Sequence, residues 1–111
     1  LVWTAANNQL GWASFLGMTP GTTKTPSAAV PARVSDLRGL PPAFIAVGSI
    51  DLFVNEDIEF AQRLNNAGVT TELIVVPGAF HGFDLFPGTN RITKSFNEAR
   101  LVALRRGLRI G

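Results

Sequence analysis

Two side chains in this sequence could do proton chemistry together. One is Asp51, in Gly48-Ser49-Ile50-Asp51. The other is His81, the chain's single histidine, in Pro77-Gly78-Ala79-Phe80-His81-Gly82-Phe83. A carboxylate that accepts from an imidazole N–H fixes the tautomer of the ring and steadies its cation, which leaves the other ring nitrogen free to act as a general base. Each residue alone has a plainer use. An Asp behind a strand usually turns or caps the backbone, and a loop His is usually structural or exposed. Their joint placement raises the pair above those uses, because each follows an apolar run of strand character. Glycines on both sides of Phe80-His81 also let the backbone turn sharply and present the ring.

The elements that must position this pair can be read from the pattern around it. Ala43 to Val47 is a continuous apolar run ended by Gly48, as a strand buried on both faces requires. Asn55-Glu56-Asp57 offers a helix N-cap followed by acids, and Phe60, Ala61, Leu64 and Ala67 follow at helical spacing, with Gly68 as the stop. Glu59 and Arg63 are spaced for an outer-face pair worth ~0.3 kcal/mol. Leu73 to Val76, closed by Pro77-Gly78, is a second strand. Strand, helix and strand make a βαβ unit with a right-handed crossover and parallel strands. Loops leaving neighbouring strand ends, about 4.8 Å apart, can then bring a carboxylate to an imidazole on the rim where α/β sheets gather function. Ile92, Phe96, Ala99 and Ala103, with Gly107 beyond, predict a last helix packed on the sheet.

Residues 1–42 carry Pro20, Gly21, Pro26, Pro31, Pro41 and Pro42 and read as a connecting segment, with a short helix over Gln9 to Leu16. Residues 43–111 read as the C-terminal βαβα portion of a doubly wound, mostly parallel α/β sheet. Two strands cannot bury both faces of such a sheet, so further strands upstream are implied. The chain also opens at Leu1 without an initiator methionine, which fits a piece of a longer domain.

Composition narrows the function classes. With 46% apolar and 16% charged residues, the chain is a folding one rather than a disordered one. No apolar run approaches the ~20 residues of a membrane span. The absence of cysteine removes disulfides, thiolate zinc sites and a Cys nucleophile but does not fix the compartment, for which the cytoplasm is the default expectation. Arg100, Arg105, Arg106 and Arg109 suit an exposed helix end, and no aromatics are interleaved with them as a nucleic-acid surface would need.

The residues from Leu40-Pro41-Pro42-Ala43-Phe44-Ile45 through Gly48-Ser49-Ile50-Asp51, then Asn55-Glu56, Ala67-Gly68, Glu72-Leu73 and Pro77 to Phe83, resemble the C-terminal signature of the hormone-sensitive-lipase-like esterases. The chain order acid then base also matches the order Ser, Asp, His of α/β-hydrolases with the serine upstream. The resemblance implies an α/β-hydrolase fold, with Asp51 as triad acid and His81 as triad base. It also implies a small-molecule ester as substrate, no cofactor and no metal. It places Trp12, Leu16 and Phe83 at the substrate, the first two beside the acyl pocket. Asn55 departs from the family pattern, which usually has a second acid there.

The nucleophile is what the sequence lacks. Ser14, Ser27, Ser35, Ser49 and Ser95 are its serines, and none lies in Gly-x-Ser-x-Gly. The His-Gly-Gly segment of the oxyanion hole is also absent. The expectation is therefore a serine carboxylesterase of which this chain alone is inactive, completed by the N-terminal part of the same fold. The rivals are a serine peptidase or dienelactone-hydrolase-like enzyme, or a non-catalytic small-molecule receptor of the same fold. A homodimer through the edge strand 72–76 is also expected, since that strand carries no Lys, Pro or glycine bulge to block its open side.

Overall fold

The computed structural model describes residues 2–86 and 90–111. Its centre is a pair of parallel strands, β1 (Ala43–Gly48) and β2 (Thr71–Val76), in register from Ala43 opposite Thr71 to Gly48 opposite Val76. Gly48 is the last residue of β1 rather than a stop after it. A Cβ there would lie 2.1 Å from the carbonyl oxygen of Ala79, so only glycine allows the segment after β2 to cross this close to β1.

Helix α2 (Val54–Asn66) is the crossover between the strands. It starts one residue before the expected cap. Phe53 takes the N-cap position with no side-chain cap bond, and Asn55 lies inside the first turn. The turn is held instead by Asp51, whose Oδ1 accepts from the Phe53 N–H at 3.0 Å. Gly68 ends the helix with φ 82°, a left-handed conformation that favours glycine. The inner face of α2 buries Ala61 and Leu64, and Leu64 joins Leu37 and Val69 in a core packed by Ala43, Ile45, Phe60 and Ala67. Leu37, Leu64 and Val69 each contribute roughly 1.5–3 kcal/mol by leaving water.

The connecting segment is more ordered than its prolines suggest. Helix α1 (Ala5–Leu16) begins four residues earlier than expected, because the Thr4 side chain caps it by accepting from the Asn7 N–H at 3.2 Å. Short 3-10 turns follow at Ser27–Ala29 and Pro31–Arg33. The Arg63 guanidinium of α2 donates to the carbonyls of Ala32 and Val34. It therefore clasps the segment instead of pairing with Glu59 as the spacing suggested.

Helix α3 (Arg91–Leu108) runs through Gly107 and ends at Arg109 in a left-handed conformation with φ 54°. Its buried positions are Thr93 and Ala103, while Ile92 is exposed. The inward stripe starts one residue later than the pattern implied, with the Asn90 side chain capping the Thr93 N–H at 2.8 Å. α3 leans chiefly on the 3-10 turn Phe83–Leu85 through Phe96 against Phe83, ring centroids 5.0 Å apart, rather than lying broadly on the sheet. An ion pair of Arg106 with Glu72 ties its far end to β2. Among the described residues no helix is long and apolar enough to cross a membrane.

Candidate active site

Asp51 and His81 meet at the carboxyl ends of the two strands. Their loops are stitched by backbone bonds from the Ser49 N–H to the Val76 oxygen (2.9 Å) and from the Ile50 N–H to the Ala79 oxygen (3.2 Å). The hydroxyl of Ser49 accepts from the Gly78 N–H at 2.8 Å, so Ser49 holds the two loops together. Gly82, at φ 72°, turns the chain immediately after His81. The result is a contact of 2.9 Å between His81 Nδ1 and Asp51 Oδ2.

The two oxygens of Asp51 divide the work, Oδ1 binding the Phe53 N–H and Oδ2 the imidazole. With its side chain 7% exposed against 40% for His81, the carboxylate is withheld from water while the ring stays reachable. An ionised carboxylate can only accept, which places a proton on Nδ1 and leaves Nε2 as the basic nitrogen. Phe53 stands edge-on to the ring at 5.4 Å, and Trp3 lies tilted against it at 6.0 Å. These flanking rings limit how the imidazole can rotate.

His81 lines a cavity of about 400 Å³ together with Trp3, Asn8, Trp12, Phe15 and Phe53. Trp3 is oriented by its indole N–H, which donates to Asn8 Oδ1 at 3.4 Å. Of the three residues expected at the substrate, Trp12 lies in this cavity. Leu16 lies in an adjoining cleft that shares Trp12 and Asn8 but not His81. Phe83 is on the other flank of the ring, where a second cavity of about 280 Å³ also holds Asp51, Asp57 and Phe96. Sequence reasoning did not single out Trp3 or Phe53 for the site. Phe53, two residues after the acid in the loop that must present it, carried the one signal that could have been followed.

Burial holds the Asp57 carboxyl above the usual carboxylate range, helped by the charges of Glu56 and then Asp51, with His81 acting in the opposite sense. Among the described residues no group of three or more His, Cys, Asp or Glu is arranged to hold a metal.

A family model described as alpha/beta hydrolase fold matches residues 1–85. Esterase LipI of Mycobacterium tuberculosis is 32% identical over 80 residues, 72% of this chain and 25% of that protein. Carboxylesterase NlhH of the same organism is 34% identical over 86 residues, 78% of this chain and 27% of that protein. Among solved structures, esterase LipW from Mycobacterium marinum superposes with a TM-score of 0.83 at 35% identity, covering 93% of this chain and 32% of that one. A bacterial heroin esterase gives 0.76 at 39% identity, covering 81% and 28%. The chain thus spans about a quarter to a third of the proteins it matches.

Proposed function

Because the chain belongs to the α/β-hydrolase-fold family, in its hormone-sensitive-lipase-like branch, we propose that its protein is a carboxylic ester hydrolase in which Asp51 and His81 serve a serine lying outside residues 1–111. The observation that carries this reading is the 2.9 Å contact from His81 Nδ1 to the withheld carboxylate of Asp51, on a ring that also lines an apolar cavity. His81 Nε2 takes the serine proton as the hydroxyl attacks the ester carbonyl, and returns it to the departing alcohol. Water then enters by the same route in reverse and releases the acid from the acyl-enzyme. Asp51 keeps the tautomer and stabilises the imidazolium formed on the way.

A serine outside residues 1–111 is supported by the engagement of Ser49, which accepts from the Gly78 N–H, and of Ser14, whose hydroxyl donates to the Leu10 carbonyl at 2.8 Å in α1. The names of the relatives support an ester as substrate, and the ring-lined cavity suits an apolar acyl or alcohol group. The intact protein is further proposed to be a homodimer through the strand 72–76. Among the described residues β2 pairs with β1 on one side only.

The test is hydrolysis of p-nitrophenyl acetate and butyrate by the intact protein. Saturable turnover with a burst of nitrophenol, stopped by an organophosphonate, is expected. Absence of turnover on both esters from folded protein would refute the reading.

A further inference from the structure

His81 has a second flank. Away from the ring-walled cavity it borders the space of about 280 Å³ that Asp51, Asp57 and Asp84 also line. The three carboxylates there are not equivalent. Asp51 is bound to His81 itself, and Asp84 is balanced by Arg100 at 3.5 Å. Asp57 is in none of the ion pairs of the described residues, which are Arg38–Asp36, His81–Asp51, Arg100–Asp84 and Arg106–Glu72. Its place is nonetheless fixed. It sits in the first turn of α2, with its N–H bonded to the Phe53 oxygen at 3.0 Å, one helical step beyond the loop that presents Asp51.

We propose that Asp57 is a positioning residue for the Asp51–His81 pair: its carboxylate, sharing a cavity with both, adds a second negative charge that favours the His81 imidazolium formed as the base takes up its proton. This rests on the reading of Asp51 and His81 as the acid and base of the triad. The charged groups that bear on Asp57 are Glu56 on its own helix and Asp51 and His81 from the two rim loops, while Asp84, paired with Arg100, lines the same cavity. His81 is the one among them that favours the Asp57 anion. A carboxylate that shares a cavity with an imidazole favours the protonated ring. Buried Asp51 alone can fix the tautomer. Asp57, which makes no hydrogen bond to the ring, acts through charge alone.

The distinguishing experiment is the pH dependence of kcat/KM for ester hydrolysis by the intact protein. A general base works only when neutral, so removing a charge that favours its protonated form extends activity to lower pH. Asp57→Asn should move the acid limb to lower pH and lower the plateau kcat roughly threefold to tenfold, with KM held. Asp57→Glu, which restores the charge, should return the limb to its parental position. Coincident limbs for Asp57→Asn and the parent overturn the proposal. So does an equal displacement in Asp57→Glu, since packing rather than charge would then be responsible. If Asp57→Asn does not fold, Asp57→Ser takes its place with the same two outcomes. Asp51→Asn and His81→Ala are assayed alongside. If they retain normal kcat, the proposed function falls, whereas inactive controls with an unmoved Asp57→Asn limb remove this inference alone.

Discussion

The two oxygens of Asp51 hold different partners, and substitutions can separate their effects. Asp51→Asn keeps an oxygen that can serve the Phe53 N–H but turns an amide toward the ring, so the wrong tautomer is favoured. In the intact protein kcat should fall roughly a thousandfold or more while the urea midpoint hardly moves. Asp51→Ala should match that loss of kcat and in addition cost about 1–3 kcal/mol, because the Phe53 N–H loses its acceptor. His81→Ala should be as damaging to kcat, and near-normal kcat in any of the three would remove that residue from the mechanism. Asp57 has a separate signature in stability. Its raised carboxyl binds a proton more tightly in the folded chain than in the unfolded one. Its contribution to stability is therefore present below the unfolded carboxylate range and is lost as pH rises through the folded value. At pH 7 its charge is a net cost, screened by the water it partly faces, so Asp57→Asn should raise Tm slightly. The gain should vanish below about pH 3. A Tm difference that persists in acid would assign the effect to packing. The meeting of Asp51 with His81 was legible because each residue follows a strand-like run. Trp3 was not, since its 6.0 Å approach to His81 joins segments far apart in sequence.

At the scale of elements, the site depends on how closely two loops approach. Gly48→Ala would place its methyl carbon 2.1 Å from the Ala79 oxygen, with no flexible side chain to yield. Backbone must move, and a loss of about 3 kcal/mol or failure to fold is expected, read by denaturant titration. Ser49→Ala removes only the acceptor for the Gly78 N–H and should cost about 1 kcal/mol. A larger loss from Ser49→Ala than from Gly48→Ala would mean that the stitching, not the close approach, sets the loop spacing. Both strands and α2 were legible because burial imposes apolar runs on the strands and spaced apolar residues on the helix. The ends were less so. Asn55 looked like a cap, but Asp51 had already satisfied the turn from the loop side, and Gly107 looked like a stop although the chain ends its helix with Arg109 in a left-handed turn. In both cases a local signal yielded to a neighbour's hydrogen bonds.

At the scale of the whole molecule, α3 exposes Leu101, Val102, Leu104 and Leu108, and β2 has one unpaired side among the described residues. The 111-residue chain by itself should hydrolyse p-nitrophenyl butyrate no faster than a free imidazole background. Saturable, inhibitor-sensitive turnover from it would overturn the assignment of the nucleophile elsewhere. For the intact protein, proline at Ile74 or at Val75 should convert dimer to monomer in light scattering where the lost N–H faces the partner. A parent that is monomeric at micromolar concentration would end the edge-strand proposal. The parallel βαβ topology was legible in the residue pattern, whereas the first helix was put beside the pocket only by the family resemblance, through Trp12 and Leu16, because its placing depends on contacts between segments far apart in sequence. Residues 1–42 also hold a contact to α2. There the clasp of Arg63 on the carbonyls of Ala32 and Val34 has a consequence for protease resistance. Lys24, Arg33 and Arg38 are trypsin sites in that segment, and both tryptophans lie upstream of all three. Releasing the clasp with Arg63→Met lowers the free energy of local opening, so nicking should begin there and proceed several times faster. Each nick cuts the peptide link between the indole wall of the cavity and the imidazole it faces, so indole emission should shift to the red in step with cleavage.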